Sequence, residues 1–233
     1  MNESQTTVLF CDGASKGNPG PAGWGLVLAT PNQVIESGGA SASATNNQME
    51  LMALAEALDI LQSLQFSGFI RIYLDSRYVL EGASRYIHQW KKNSWRTKDG
   101  GAVKNQELWE RIDRALVALG PSLKIEWLHV PGHQGISGNE RADQIASGFA
   151  SGNSPSLYRG DRSAYKVSLE VIRESYAKPV YVSLVEGKIF RDLDWKTCEA
   201  RIKGRRGVKF KKVKNSLEEK ELLKSWGRST SSD

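Results

Sequence analysis

The chain has 233 residues, 39% hydrophobic and 25% charged, and a formal net charge of +6, figures that fit a soluble globular protein with one ordinary domain and a smaller one. No apolar run approaches the roughly 20 residues of a membrane span, and the start MNESQTTVLFCDG has neither the basic opening nor the apolar stretch of a signal peptide. Cys11 and Cys198 stand far apart and suggest no disulfide framework or zinc cluster, so the expectation is a cytoplasmic protein without membrane partners.

TTVLFCD (6–12) is a short β-rich run ending on Asp12, followed by the turn-rich GASKGNPGPAG. GWGLVLAT (23–30) and QVIESGG (33–39) read as two more strands around a Pro31-Asn32 turn. Connections this short imply an antiparallel meander. From Thr45 to Leu64 the period changes. Met49, Leu51, Met52, Leu54, Ala55, Leu58 and Leu61 recur at helical spacing, and Thr45-Asn46-Asn47 offers capping side chains. FIRIYLD (69–75) returns to strand alternation and ends on Asp75. Short helices are expected over Ser76–Gly82 and Tyr86–Trp95, a longer one over Asn105–Leu119, a fifth strand at LKIEWLHV (123–130) and a last helix over Ser137–Ala150. The order describes an α/β domain, residues 1–152, with a mixed five-stranded sheet and helices on both faces. SGNSPSLYRGD opens a linker, taken as residues 153–178, in which Val167 to Tyr176 is expected as a short helix. A small α+β module over 179–227, read as two layers, and a tail of 228–233 complete the chain.

The charge is uneven. Residues 1–177 hold 17 Lys and Arg against 18 Asp and Glu, whereas 178–233 hold 15 against 8. Arg201 to Lys214 carries eight basic residues and no acid. Such a block is either a polyanion-binding footprint or a solvated basic tail.

Asp12 and Asp75 each end an apolar strand, Glu50 lies one turn into a helix, and Asp143 lies in the first half of the last helix. Acids at strand ends are ordinarily solvated edge groups. Converging, they would instead bind hard divalent cations through oxygen, as Mg²⁺ and Mn²⁺ prefer. Pattern alone does not choose between the two.

The surrounding strings do. DGASKGNPGPAGWG (12–25), TNNQMELMA (45–53), LDSRYV (74–79), WKKNSWRTKDGGAVKNQELW (90–109) and HVPGHQGISGNERADQIA (129–146) resemble type I ribonuclease H in that order and spacing. The resemblance implies a ribonuclease H-like fold and an endonuclease cutting the RNA strand of RNA–DNA hybrids to leave 5′-phosphate and 3′-hydroxyl ends. It implies two Mg²⁺ per site, with Mn²⁺ as the alternative, held by Asp12, Glu50, Asp75 and Asp143, and proton delivery by His133 on a glycine-rich loop. Asn18, Asn46, Asn47 and Gln48 match positions lining the RNA groove, where amides would read 2′-hydroxyls. Arg77 stands where the family often has glutamine. Thr45 and Asn105 match positions that hold a DNA phosphate. Tyr86 to Lys98 matches the family's basic protrusion, with Trp90, Lys91, Lys92 and Trp95 assigned to substrate and Trp90 also to packing.

Residues 179–223 resemble the small hybrid-binding domain found at the N-terminus of eukaryotic type I enzymes, here placed C-terminally. Matching positions assign Trp195 and Phe210, beside Tyr181, to DNA sugars and Lys211 and Lys212 to phosphates, with duplex RNA as an alternative ligand. The two aromatics would otherwise be the core of a very small module.

Overall fold

The computed structural model describes residues 6–130, 132, 135–171 and 175–228. The chain forms two compact units, residues 1–170 and 171–233. In the first, β1 (Thr7–Ser15), β2 (Gly20–Ala29) and β3 (Gln33–Ala44) make the antiparallel meander, and β4 (Gly68–Leu74) and β5 (Leu123–His129) run parallel to β1. The sheet has six strands, not the five expected. The sixth, β6 (Arg159–Asp161), lies antiparallel against β3 with Val34 opposite Gly160. Only three residues long and without apolar alternation, Arg159-Gly160-Asp161 carries no strand signal; its pairing is a backbone matter settled by β3's open edge.

Helix α1 (Asn46–Ser63) begins in a capping box, in which the Thr45 hydroxyl accepts from the Gln48 N–H and the Gln48 side chain accepts from the Thr45 N–H. It buries Leu51, Leu54, Leu58 and Leu61 against Leu9, Cys11, Leu26 and Leu28 on one sheet face. On the opposite face lies α5 (Ser137–Ala150), close against β2: a Cβ at Gly25 would strike the Ala142 carbonyl. Both faces are therefore covered, as expected.

The two short helices predicted between β4 and residue 95 are one irregular rod. Helix α2 (Arg77–Glu81) passes through a π-helical turn (Gly82–Tyr86) into α3 (Ile87–Lys92). The turn accommodates Trp109 on α4 (Gln106–Leu119), whose ring occupies the space a Gly82 side chain would need. Trp109 is fully buried, donates its indole N–H to the Tyr78 hydroxyl at 3.0 Å, and meets Tyr78 and Trp90 edge-on.

The second unit contains β7 (Ser175–Val185), β8 (Lys188–Asp192), α6 (Trp195–Ile202), β9 (Lys209–Asn215) and α7 (Ser216–Ser225), with strand order β8-β7-β9. Its strands and helices fall where the sequence pattern puts them, but it has three layers rather than two. Cys198 and Ile202 of α6 pack on Val185, while Leu222 and Leu223 of α7 pack on Val180, Val182 and Val213. Alternation along β7 turns Val180 and Val182 to one face and Tyr181, Ser183 and Val185 to the other, so each face accepts a helix. The helix expected over Val167–Tyr176 is not formed: residues 167–171 are irregular and β7 begins at Ser175. Among the described residues no helix is long and apolar enough to cross a membrane.

Trp109→Ala removes the ring that the rod bends around. A loss of about 3–5 kcal/mol is expected, read as a lowered midpoint in urea denaturation of the full chain.

Candidate active site

Three of the five residues assigned to catalysis converge where the parallel pairing of β1 with β4 stops, and β1 itself runs on beside β2 to Ser15, past the end expected at Asp12. Cys11 on β1 lies opposite Leu74 on β4, so Asp12 and Asp75 follow at the same level. Glu50 reaches them from α1 because residue 13 is glycine. A Cβ on Gly13 would meet the Glu50 amide nitrogen, so only glycine lets the first turns of α1 rest on β1. Asp12, Glu50 and Asp75 each present a carboxylate oxygen within 4.8 Å of the others.

Like charges this close raise one another's pKa, and burial adds to it. Asp12, 8% exposed, is pushed up to about 8 by burial first, then by the Asp75 charge, with smaller contributions from Asp143 and Glu50. The Gly13 N–H, donating to Oδ1 at 2.7 Å, works the other way. Glu50 is raised by burial and by Asp75 against a hydrogen bond from the Ser76 hydroxyl to Oε2 at 2.5 Å. Asp75 is raised chiefly by burial, and partly relieved by the Asn139 side chain and the His129 imidazole.

This donor set fits a divalent cation: hard oxygen ligands, half-buried, and costly to charge together without a cation. Asp143 stands close enough to raise both Asp12 and Asp75 but lies outside the three-carboxylate group, and it accepts from the Ser147 hydroxyl at 3.2 Å. His133 lies outside the described residues.

Two supporting residues escape a reading by motif role. Ser76 both caps α2 and donates to Glu50. Asn139 is 2% exposed and donates to Asp75, while its Oδ1 meets no partner among the described residues. Both lie inside the strings shared with type I ribonuclease H. The available signal for Asn139 is its place one helical turn before Asp143.

The groove residues divide. Asn18, Asn46, Asn47 and Arg77 are exposed, and the Asn46 side chain accepts from the Ser15 hydroxyl at 2.8 Å. Thr45 and Gln48 are engaged with each other in the α1 cap. Asn105 takes a left-handed backbone conformation and donates to the Tyr78 hydroxyl at 3.3 Å. Lys91 and Lys92 are both exposed, and Lys91 pairs with buried Asp113 at 2.6 Å. Trp90 and Trp95 are partly buried and pack one side against the core.

In the second unit Tyr181, Trp195 and Phe210 form a row with successive ring centroids 5.5 Å apart, and Trp195 and Phe210 are 39% and 49% exposed. Trp195 and Phe210 are surface, whereas Tyr181 is half-buried and packs on the α6 core. Lys212 lies over the Tyr181 ring at 5.6 Å. Lys211 stands on the opposite pleat, paired with Val182, away from that row.

A mixed sheet with clustered carboxylates where its central parallel pairing stops defines a ribonuclease H-like protein. The RNase H family model matches residues 4–151. Ribonuclease H of Polaromonas naphthalenivorans is 46% identical over 147 residues, covering 63% of this chain and 88% of that protein. The crystal structure of LC9-RNase H1, a type 1 RNase H with the type 2 active-site motif, has a TM-score of 0.55 at 24% identity, covering 70% of this chain and 92% of that one. A foamy viral protease-reverse transcriptase in complex with RNA/DNA hybrid has a TM-score of 0.55 at 20% identity, covering 64% of this chain and 21% of that one. The chain belongs to the RNase H family and is a ribonuclease H enzyme.

Because the folded pKa of Asp12 lies above the ordinary carboxylate value of 3.8, the folded state binds more protons than the unfolded one between there and about 8. Stability of the metal-free protein therefore falls as pH rises through that interval. Asp12→Asn is expected to raise the melting temperature in EDTA near neutral pH, each kcal/mol giving roughly 2–4 °C, and to flatten the pH slope. Parallel melts of both proteins across that interval check this.

Proposed function

We propose that the first unit hydrolyses the RNA strand of RNA–DNA hybrids with two divalent cations, Mg²⁺ or Mn²⁺, leaving 5′-phosphate and 3′-hydroxyl ends. The observation that carries the reading is the mutual approach of the Asp12, Glu50 and Asp75 oxygens within 4.8 Å. Asp12 and Asp75 would hold both ions, and Glu50 and Asp143 would complete the sites. Cations bound there supply Lewis acidity, activating the attacking water and stabilising the leaving oxygen.

The protein's own groups orient this set. The Gly13 N–H fixes Asp12, Ser76 fixes Glu50, and Asn139 fixes Asp75. Asp12, whose pKa burial and the Asp75 charge push up to about 8, would release its proton as cations bind. His133 would carry protons as product leaves, a role the family resemblance assigns. Asn18, Asn46, Asn47 and Gln48 would read 2′-hydroxyls, with Arg77 at their edge, and Thr45 and Asn105 would seat a phosphate of the DNA strand.

The module over 179–227 would add a second hybrid-binding surface. Exposed Trp195 and Phe210, in a row with half-buried Tyr181 beside Lys212, suit sugar and base faces together with phosphates. Tethering raises the effective concentration of hybrid at the first unit and favours repeated cuts per encounter. Hybrid is preferred over duplex RNA as its ligand because it is the substrate of the attached enzyme. The protein would act as a monomer.

Asp75→Asn should abolish cleavage of labelled hybrid in Mg²⁺ while leaving hybrid binding close to normal, since the groove residues remain. Near-normal turnover in that variant would overturn the metal site. Trp195→Ala with Phe210→Ala should weaken hybrid binding, and Lys212→Ala should lower the salt slope of log K by about 0.9 for each phosphate no longer neutralised. Titrations of hybrid, duplex RNA and duplex DNA at several salt concentrations distinguish these outcomes.

A further inference from the structure

The family match ends at residue 151, yet the first compact unit continues to Glu170. The segment beyond α5 folds back on that unit as a strap. Gly148 lets Pro155 pass closely, β6 joins β3, and Arg162 donates to the Thr6 and Thr30 carbonyls at 2.9 and 3.0 Å. Beneath this strap lies Glu36 of β3, its side chain 1% exposed. Arg141 of α5 grips both carboxylate oxygens at 2.7 Å and also donates to the Ser156 carbonyl at 2.7 Å. The strap supplies the other two donors to Glu36: the Tyr158 N–H at 2.8 Å and the Tyr165 hydroxyl at 2.6 Å. A buried carboxylate with four hydrogen bonds, two of them from a bidentate guanidinium, is a fixed point in the structure.

That fixed point lies on the helix that carries Asn139 and Asp143. Residue 141 is two positions from each, so it leaves the helix about 200° around the axis from either. Where α5 crosses β2 it meets glycines: a Cβ on Gly25 or Gly23 would strike the Ala142 or Ala146 carbonyl. This packing seats the sheet-facing side of the helix, with Ile145 and Phe149 over Gly38 and the Phe10 ring against Gly138, and the Arg141–Glu36 pair adds a directional tie from the helix to β3 and the strap. We propose that the strap, through Glu36, Tyr165 and Arg141, sets the rotation and register of α5, making these three positioning residues for Asn139 and Asp143 at the metal site. The catalytic unit of this protein thus extends past the family match and needs residues 153–165. This rests on the metal-site reading above.

The test titrates Mn²⁺ into the full chain, followed by the electron paramagnetic resonance of the free ion, with hybrid cleavage measured in parallel. Glu36→Gln breaks the bidentate pair, and Tyr165→Phe removes one donor. Glu36→Leu with Arg141→Leu replaces the pair by apolar side chains that keep the strap packed without the directional lock. Expected are a roughly tenfold weaker Mn²⁺ affinity in Glu36→Gln and in the double variant, a smaller loss in Tyr165→Phe, and an unchanged KM for hybrid. The double variant should keep the weakened affinity even where its melting temperature matches the parent's, which a merely structural role would not produce. Folded variants that bind Mn²⁺ like the parent would overturn the strap's role. Asp12→Asn serves as the control: if it binds Mn²⁺ normally, the metal-site reading fails instead.

Discussion

The structure turns on an electrostatic conflict. Three carboxylates that repel one another are held together, half-buried, where the central parallel pairing stops. Burial and mutual repulsion both disfavour their charged forms, and burial first, then the Asp75 charge, raises the pKa of Asp12. A site that is uncomfortable empty is a site prepared for cations, and the surrounding architecture serves to keep it so.

Each surrounding element answers to that constraint. Gly13 allows α1 to bring Glu50 to that point, and the capping box stiffens the helix at that same turn. Ser76 and Asn139 hold the outer carboxylates by hydrogen bonds, one from the start of α2 and one from α5. The glycines of β2 admit α5 closely on the other face. Helices on opposite faces thereby present side chains to one sheet end. Preorganisation of this kind is what a metal-assisted hydrolase needs, because ligands that must move to bind lose affinity.

The second unit obeys a different logic. Its small core has two separate parts, one beneath each helix; Tyr181 leans on the α6 part, and Trp195 and Phe210 remain at the surface in line with it. These last two rings, which could have served as core, are exposed because Val180, Val182, Val213 and the α7 leucines, together with Val185, Cys198 and Ile202, already fill both layers.

Much of this was legible in the chain. The period of α1 and the strand alternation were local properties and sufficed for the order of elements, whereas the choice of acids came from the resemblance of five strings to type I ribonuclease H; the first strand runs on to Ser15, past the end expected at Asp12. The order of elements in the second unit was equally plain. Tertiary structure decided the rest. Only packing shows that Trp90 and Trp95 lean on the core and that Lys91 pairs with Asp113. Only pairing shows that Arg159–Asp161 is a strand, since backbone hydrogen bonds leave no mark in side-chain pattern. Glu36 and Tyr165 meet across 129 residues of chain. A buried carboxylate is recognisable by its partners, and those partners are chosen by the folded surface rather than by the sequence beside it.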